Sequence, residues 1–132
     1  MFPEIRHLHL SSHDHIVSQG FYETYFGFSF AGIFSRGENS AATVLKSPSG
    51  FQLFLEVGST DKLPQWFHCG FLAESADACL SLYKRMQEDH VKIVNPLITD
   101  PFPSYFFADP DSHIIQVYFD PKAQLKNILA SS

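Results

Sequence analysis

The feature that most constrains this chain is an internal repeat. Shifting the sequence by 61 residues sets His7-Leu8-His9-Leu10-Ser11-Ser12 on His68-Cys69-Gly70-Phe71-Leu72-Ala73. The same shift sets Asp14 on Ser75, both good helix N-caps, and Phe21-Tyr22 on Leu82-Tyr83. With one residue added, Ser47-Pro48-Ser49-Gly50 falls on Asp109-Pro110-Asp111-Ser112. Each of those turns leads into an apolar strand. A single match of this kind arises by chance; a series in one order and nearly one offset does not. A repeat of this length makes each half one supersecondary unit, and the halves share one element order.

Alternating apolar residues predict strands over 5–11 and 67–73. A helix follows each. Asp14 caps the first, which stops at Gly27 after Phe26, and Ser75 caps the second. The stripe Cys79, Leu82, Tyr83, Met86 has the spacing of a buried helix face. Three strands are expected after the first helix, over 28–34, 41–46 and 51–57. After the second they are expected over 91–95, 104–108 and 113–119, with Pro96, Pro101 and Pro103 breaking the middle stretch. Residues 58–64 read as the linker. Asp120-Pro121 reads as the start of a short C-terminal helix over 121–130 carrying Leu125, Ile128 and Leu129. The expected fold class is α+β: two βαβββ repeats, about 5–57 and 66–119, in one domain.

Composition narrows the function. The chain has 132 residues, 45% of them hydrophobic and 17% charged, which suits a folded core and argues against disorder. Its formal charge of −5, with 9 Lys plus Arg thinly spread, argues against nucleic acid as a partner. No apolar run reaches the roughly 18 residues of a membrane span, and the N-terminus lacks a signal-peptide pattern. With 2 Cys there is no disulfide framework and no four-Cys zinc site, so the expected compartment is the cytoplasm. The 14 Phe and 5 Tyr are read mostly as core.

These residues resemble the vicinal-oxygen-chelate superfamily: glyoxalase I, bleomycin-resistance proteins, thiol transferases acting on fosfomycin, and extradiol dioxygenases. The resemblance rests on His7 opening the first strand, Asp14, the Phe21-Tyr22…Phe26-Gly27-Phe28 helix end, His68, and the Asp109-Pro110-Asp111 turn. It implies a cup-shaped mixed sheet built from the two modules, completed by a homodimer. It also implies divalent-metal ligands at the positions of His7, Phe54, His68 and Gln116. Zn, Ni, Fe or Mn would suit such a donor set.

The chain departs from that pattern. Phe54 cannot bind a metal, and Gln116 offers only a neutral amide oxygen. Glu56 lies two residues on, ~7 Å along the strand, and a one-pair register shift would make it a ligand. His9 would supply a third imidazole. Glyoxalase I proper is disfavoured, because Glu56 is the one carboxylate left to move a proton and Ser11 stands where those enzymes carry an Arg for glutathione. Gln116 likewise disfavours an extradiol dioxygenase, which needs two His and one carboxylate.

Three readings follow. In the leading one a divalent metal sits on His7, His68 and Gln116, Glu56 is the catalytic base, and the protein is a lyase, isomerase or dioxygenase on a small oxygenated metabolite. In the second no metal binds, and Phe54, Trp66, Tyr105, Phe107 and Tyr118, with His9, line a pocket that sequesters a small aromatic or cationic molecule. In the third His7 and His68 are polar relics of the duplication. His13, His15 and His90 are read as solvated, His113 as facing the helix side, and Cys69 and Cys79 as buried thiols.

Overall fold

The computed structural model describes residues 2–38 and 40–123. They fall into two compact units that divide between Lys62 and Leu63. The first contains β1 (His7–Ser12), α1 (His15–Phe26), β2 (Ser29–Gly37), β3 (Ser40–Lys46) and β4 (Gln52–Val57). The second contains β5 (His68–Leu72), α2 (Ala76–Glu88), β6 (Ile93–Ile98), β7 (Ser104–Ala108) and β8 (Ile114–Tyr118). Each unit is thus a βαβββ module with its own four-stranded mixed sheet, ordered β1-β4-β3-β2 and β5-β8-β7-β6. Most of the C-terminal helix expected over 121–130 lies outside the described residues.

Local chemistry sets the element boundaries. In the first module Asp14 Oδ1 accepts from the amides of Ile16 (3.1 Å) and Val17 (3.3 Å), which satisfies two of the helix's otherwise unbonded N–H groups. Gly27 ends α1 in the left-handed region at φ 68°, and its N–H returns to the Glu23 carbonyl. The second module repeats the cap with Ser75 Oγ, which accepts from Ala78 N at 3.0 Å. It ends its helix differently: His90, a residue with a Cβ, takes the positive φ of 61°.

The turns before the closing strands repeat as well. Ser47 Oγ accepts from Phe51 N at 3.0 Å, and Asp109 Oδ1 accepts from His113 N at 2.9 Å. Gly50 and Ser112 take the positive φ at matching places. The offset of 62 read from the sequence therefore survives as shared turn geometry.

One face of each sheet is covered by the module's helix. In the first, Ser12 donates to Ser18 Oγ of α1 (3.1 Å), and Leu10, Leu45, Leu53 and Leu55 are buried alongside. Each such Leu contributes about 1.5–3 kcal/mol through burial. In the second, Cys79 and Met86 of α2 pack over Tyr105, Phe107, Ile115 and Val117, all at most 1% exposed. Strand alternation then assigns the other face of each sheet, the helix-free face.

The strand limits differ from expectation mainly at β6, which starts at Ile93 and runs through Pro96 to Ile98. This strand is the edge of its sheet, where a missing N–H costs no ladder bond, so Pro96 is tolerated rather than disruptive.

Candidate functional site

On the first module's helix-free face, β1 and β4 run parallel with His7 opposite Gln52, His9 opposite Phe54 and Ser11 opposite Glu56. The ring of Phe54 is flanked by His7 and His9, with centroids at 5.0 and 5.6 Å, and by Phe34 of β2 at 5.6 Å. The register does not slip, so the shift that would have put Glu56 in the place of Phe54 does not occur. Instead the Glu56 side chain leans back along the strand. Its Oε1 lies 2.8 Å from His9 Nε2, and its Oε2 accepts from Ser40 Oγ at 3.2 Å. His9 Nε2 is buried and lacks hydrogen-bond alignment despite that distance, so the pair is a close contact that is ionic only when the imidazole is protonated. At the end of β1, Ser11 Oγ donates to the Asp61 carbonyl.

On the second module's helix-free face, β5 and β8 repeat the parallel register, with His68 opposite Ile114, Gly70 opposite Gln116 and Leu72 opposite Tyr118. Gln116 Nε2 donates to Ser104 Oγ of β7 at 2.9 Å, which leaves the amide oxygen as the outward atom. His68 stacks edge-on with Phe106 at 5.1 Å, and its Nδ1 lies 3.4 Å from the Trp66 carbonyl. A neutral ring donating from Nδ1 presents Nε2 as a lone pair, the arrangement that metal-binding imidazoles adopt.

Two expected lining residues are not on this face. Tyr105 and Phe107 point to the opposite side, under α2: Tyr105 Oη approaches Met86 Sδ at 3.9 Å, and its ring meets Tyr83 at 4.8 Å. Burial raises the Tyr105 phenol far above its ordinary value, with Cys79 and Tyr83 adding to the effect. Alternation therefore gives the helix-free face to Ser104, Phe106 and Ala108. Tyr118 is on that face, while Trp66 lies in the loop before β5 with 78% of its surface exposed. Ser40, Ser104 and Phe106 were missed by sequence reasoning, while strand alternation places Gly70 on this face without giving it a role. Phe106 pairs with Gln116, which sets it on this face.

The remaining reactive groups are structural. Asp109, Asp111 and His113 bring ligand atoms within 4.8 Å of one another. Yet Asp109 Oδ1 already accepts from the amides of Asp111 and His113, both at 2.9 Å, so the carboxylate builds the turn. His113 is buried, in phase with Ile115 and Val117 on the helix side. Burial pushes the Cys69 thiol up to about 11, with Asp109 contributing, and raises Cys79 too. Neither is a nucleophile at neutral pH.

Residues 4–117 match the model of the Glyoxalase/Bleomycin resistance protein/Dioxygenase superfamily. The chain belongs to that superfamily. Solved structures agree with the assignment. A possible glyoxalase from Bacillus cereus is 29% identical, with a TM-score of 0.73 over 87% of this chain and 97% of that one. A mutant of the fosfomycin resistance protein FosX from Listeria monocytogenes, complexed with Mn(II) and 1S,2S-dihydroxypropylphosphonic acid, is 17% identical (TM-score 0.73, 98% and 99% covered). The trypanothione-dependent glyoxalase I of Leishmania major is 20% identical (TM-score 0.75, 98% and 95% covered). The last two likenesses concern the fold alone. No curated protein matches the chain.

Within this glyoxalase superfamily fold, the donor set can be judged on its chemistry. The second module carries an imidazole, His68, and an amide, Gln116, on neighbouring strands, donor types suited to a borderline divalent ion. The first offers His7, while Phe54 contributes nothing and Glu56 is engaged with His9 and Ser40. Taken module by module, these nitrogen and neutral-oxygen donor types are chemically compatible with a borderline divalent ion. No helix among the described residues is long and apolar enough to cross a membrane.

Proposed function

We propose that this superfamily member is a divalent-metal-dependent enzyme acting on a small oxygenated metabolite. His68 and Gln116 are the ligands from the second module, and His7, at the position equivalent to His68, is the ligand from the first. The observation that supports this reading best is the Gln116 amide: its NH2 is held by Ser104, so its oxygen is the atom presented beside the His68 strand. When bound, the metal supplies Lewis-acid polarisation of adjacent substrate oxygens.

The chain's own residues supply the rest. Glu56 is the proposed base, oriented by Ser40 on Oε2 and by His9 at Oε1. Phe54, His9, Trp66 and Tyr118 are proposed to contact substrate, with Phe106 taking the role expected of Tyr105 and Phe107. The reading includes a cytoplasmic homodimer, with Zn, Ni, Fe or Mn as the ion.

A second reading draws support from Phe54. An aromatic side chain surrounded by His7, His9 and Phe34, at a position where a metal enzyme of this kind carries a ligand, suits metal-free sequestration of a flat or cationic molecule.

Metal analysis of protein purified without a His tag separates the two. The enzyme reading expects metal near one equivalent, or a thermal stabilisation by added Zn, Ni, Mn or Fe that His68→Ala abolishes. Trace metal with no such stabilisation removes it.

A further inference from the structure

Gly70 has an unusual setting for a mid-strand glycine. Its backbone is ordinary extended strand, since its φ lies outside the positive region occupied by five other glycines. No turn or bulge requires it: β5 pairs with β8 without a register break through this position. What excludes a side chain is its surroundings. A Cβ placed on Gly70 would lie 3.0 Å from Tyr118 Cε1 and 3.5 Å from Cδ1, and 3.6 Å from Gln116 Oε1. The Tyr118 ring therefore occupies the space a side chain would take, lying diagonally across the strand pair onto the Gly70 backbone. The amide oxygen of Gln116, directly opposite Gly70, adjoins the same space.

The amide is thus held at its nitrogen, and its oxygen borders the space that the Tyr118 ring fills. Ser104 holds its nitrogen from β7, and Tyr118, two residues along β8, stands over Gly70 beside its oxygen. In the first module the equivalent strand position carries His9, whose partner Glu56 stands where Tyr118 does here. The small residue is therefore a property of one copy and not of the repeat.

We propose that Gly70 is a positioning residue: by admitting the Tyr118 ring over its backbone, it fixes the direction in which the Gln116 amide oxygen is presented to a ligand. This rests on the reading of Gln116 as a metal ligand. The Gly70→Ala variant isolates the effect, because alanine is at ease in extended backbone and the added methyl is the sole change. The lower backbone entropy of unfolded alanine favours the variant while displacement of Tyr118 opposes it, so the two effects offset in part. The methyl must displace the Tyr118 ring by a few tenths of an ångström, and it would stand in ordinary van der Waals contact with the amide oxygen.

Two measurements test it. The first is the side-chain NH2 pair of Gln116 in nitrogen-edited NMR spectra, assigned by its loss in Gln116→Glu. In Gly70→Ala these resonances shift and exchange faster while the backbone amide spectrum stays that of the folded protein. The second is Mn(II) binding, followed by loss of the free-ion paramagnetic resonance signal. Gly70→Ala weakens it roughly tenfold or more, the usual scale for disturbing a residue that orients a ligand.

Unchanged Gln116 resonances in Gly70→Ala overturn the proposal, whatever the metal result. So does an unchanged Mn(II) affinity in a protein whose binding His68→Ala abolishes. Failure of the wild-type protein to bind any of the four metals instead overturns the enzyme reading, and the NMR arm still decides whether Gly70 sets the amide.

Discussion

His9 Nε2 and Glu56 Oε1 stand 2.8 Å apart although the strand register places Glu56 opposite Ser11 and His9 opposite Phe54. The contact is diagonal, made by a side chain reaching back one residue pair. Both groups are about one-quarter exposed, so solvent screens the pair only in part. A double-mutant cycle on His9→Ala and Glu56→Gln is expected to give a coupling of about 0.5–1 kcal/mol that shrinks at high salt. Strictly additive effects would show that the two side chains do not hold each other.

Gln116→Glu places a carboxylate where the amide oxygen now sits, with the Ser104 hydroxyl still able to donate to it. If the position is a ligand, divalent-metal affinity rises roughly tenfold, equivalent to about 1.4 kcal/mol. Isothermal titration with Zn or Mn reads this directly; an unchanged affinity counts against the assignment.

Tyr105 and Phe106 are adjacent yet serve opposite faces. Tyr105→Ala empties a fully buried site under α2 and costs about 3–5 kcal/mol of stability. Phe106→Ala, on the half-buried face shared with His68 and Gln116, costs less stability and weakens ligand binding. Denaturant titration paired with a ligand-induced thermal shift separates the two effects. The reverse pattern would place Tyr105 back at the site.

The thiols give a pH dependence whose sign follows from their burial. Cys69 is raised from 9.0 to about 11, so the folded protein keeps this proton at a pH where the unfolded chain has lost it. Stability is then intact below pH 9 and declines as the pH rises from 9 toward 11. Cys79 and Tyr105, raised in the same direction, add to the decline. Cys69→Ala is expected to flatten the denaturation midpoint across that window, and thiol labelling of the native protein at pH 8 is expected to be slow. Rapid labelling at pH 8 would contradict the burial.

His90→Gly removes the Cβ from a left-handed residue at the end of α2, where the first module uses Gly27. A gain of about 0.5–1 kcal/mol is expected in urea denaturation, as relief of the left-handed strain exceeds the entropy cost of glycine.

The modules were legible because their signals agree at several levels. Caps at Asp14 and Ser75, the Gly27 stop, and the offset turns at Ser47 and Asp109 all report local backbone chemistry, which a sequence displays openly. The faces of β1, β4, β5 and β8 were legible too, since at least one polar residue in each (His7 and His9, Gln52 and Glu56, His68, Gln116) marks the side away from the core. Strand β7 defeats that rule: Tyr105, Phe106 and Phe107 are all aromatic, so no alternation shows which face is buried. Only contact with Met86 and Tyr83 decides it.

The Glu56 assignment had a different obstacle. Strand spacing gives the position of a backbone but not the reach of a glutamate, which spans one residue pair without any register shift. The face of Gly70 was legible but the role proposed for it was not, because that role is a space, and the group that fills it sits 48 positions away in the chain.

The diverged register pairs have a practical outcome for anyone altering this protein. His9 faces Phe54 in one copy where Gly70 faces Gln116 in the other, so corresponding positions are no longer interchangeable parts. Grafting the front half's residues onto the back would transplant bulk into a slot shaped for none. A duplicated gene segment that began as two equal tools has become a matched but unlike pair.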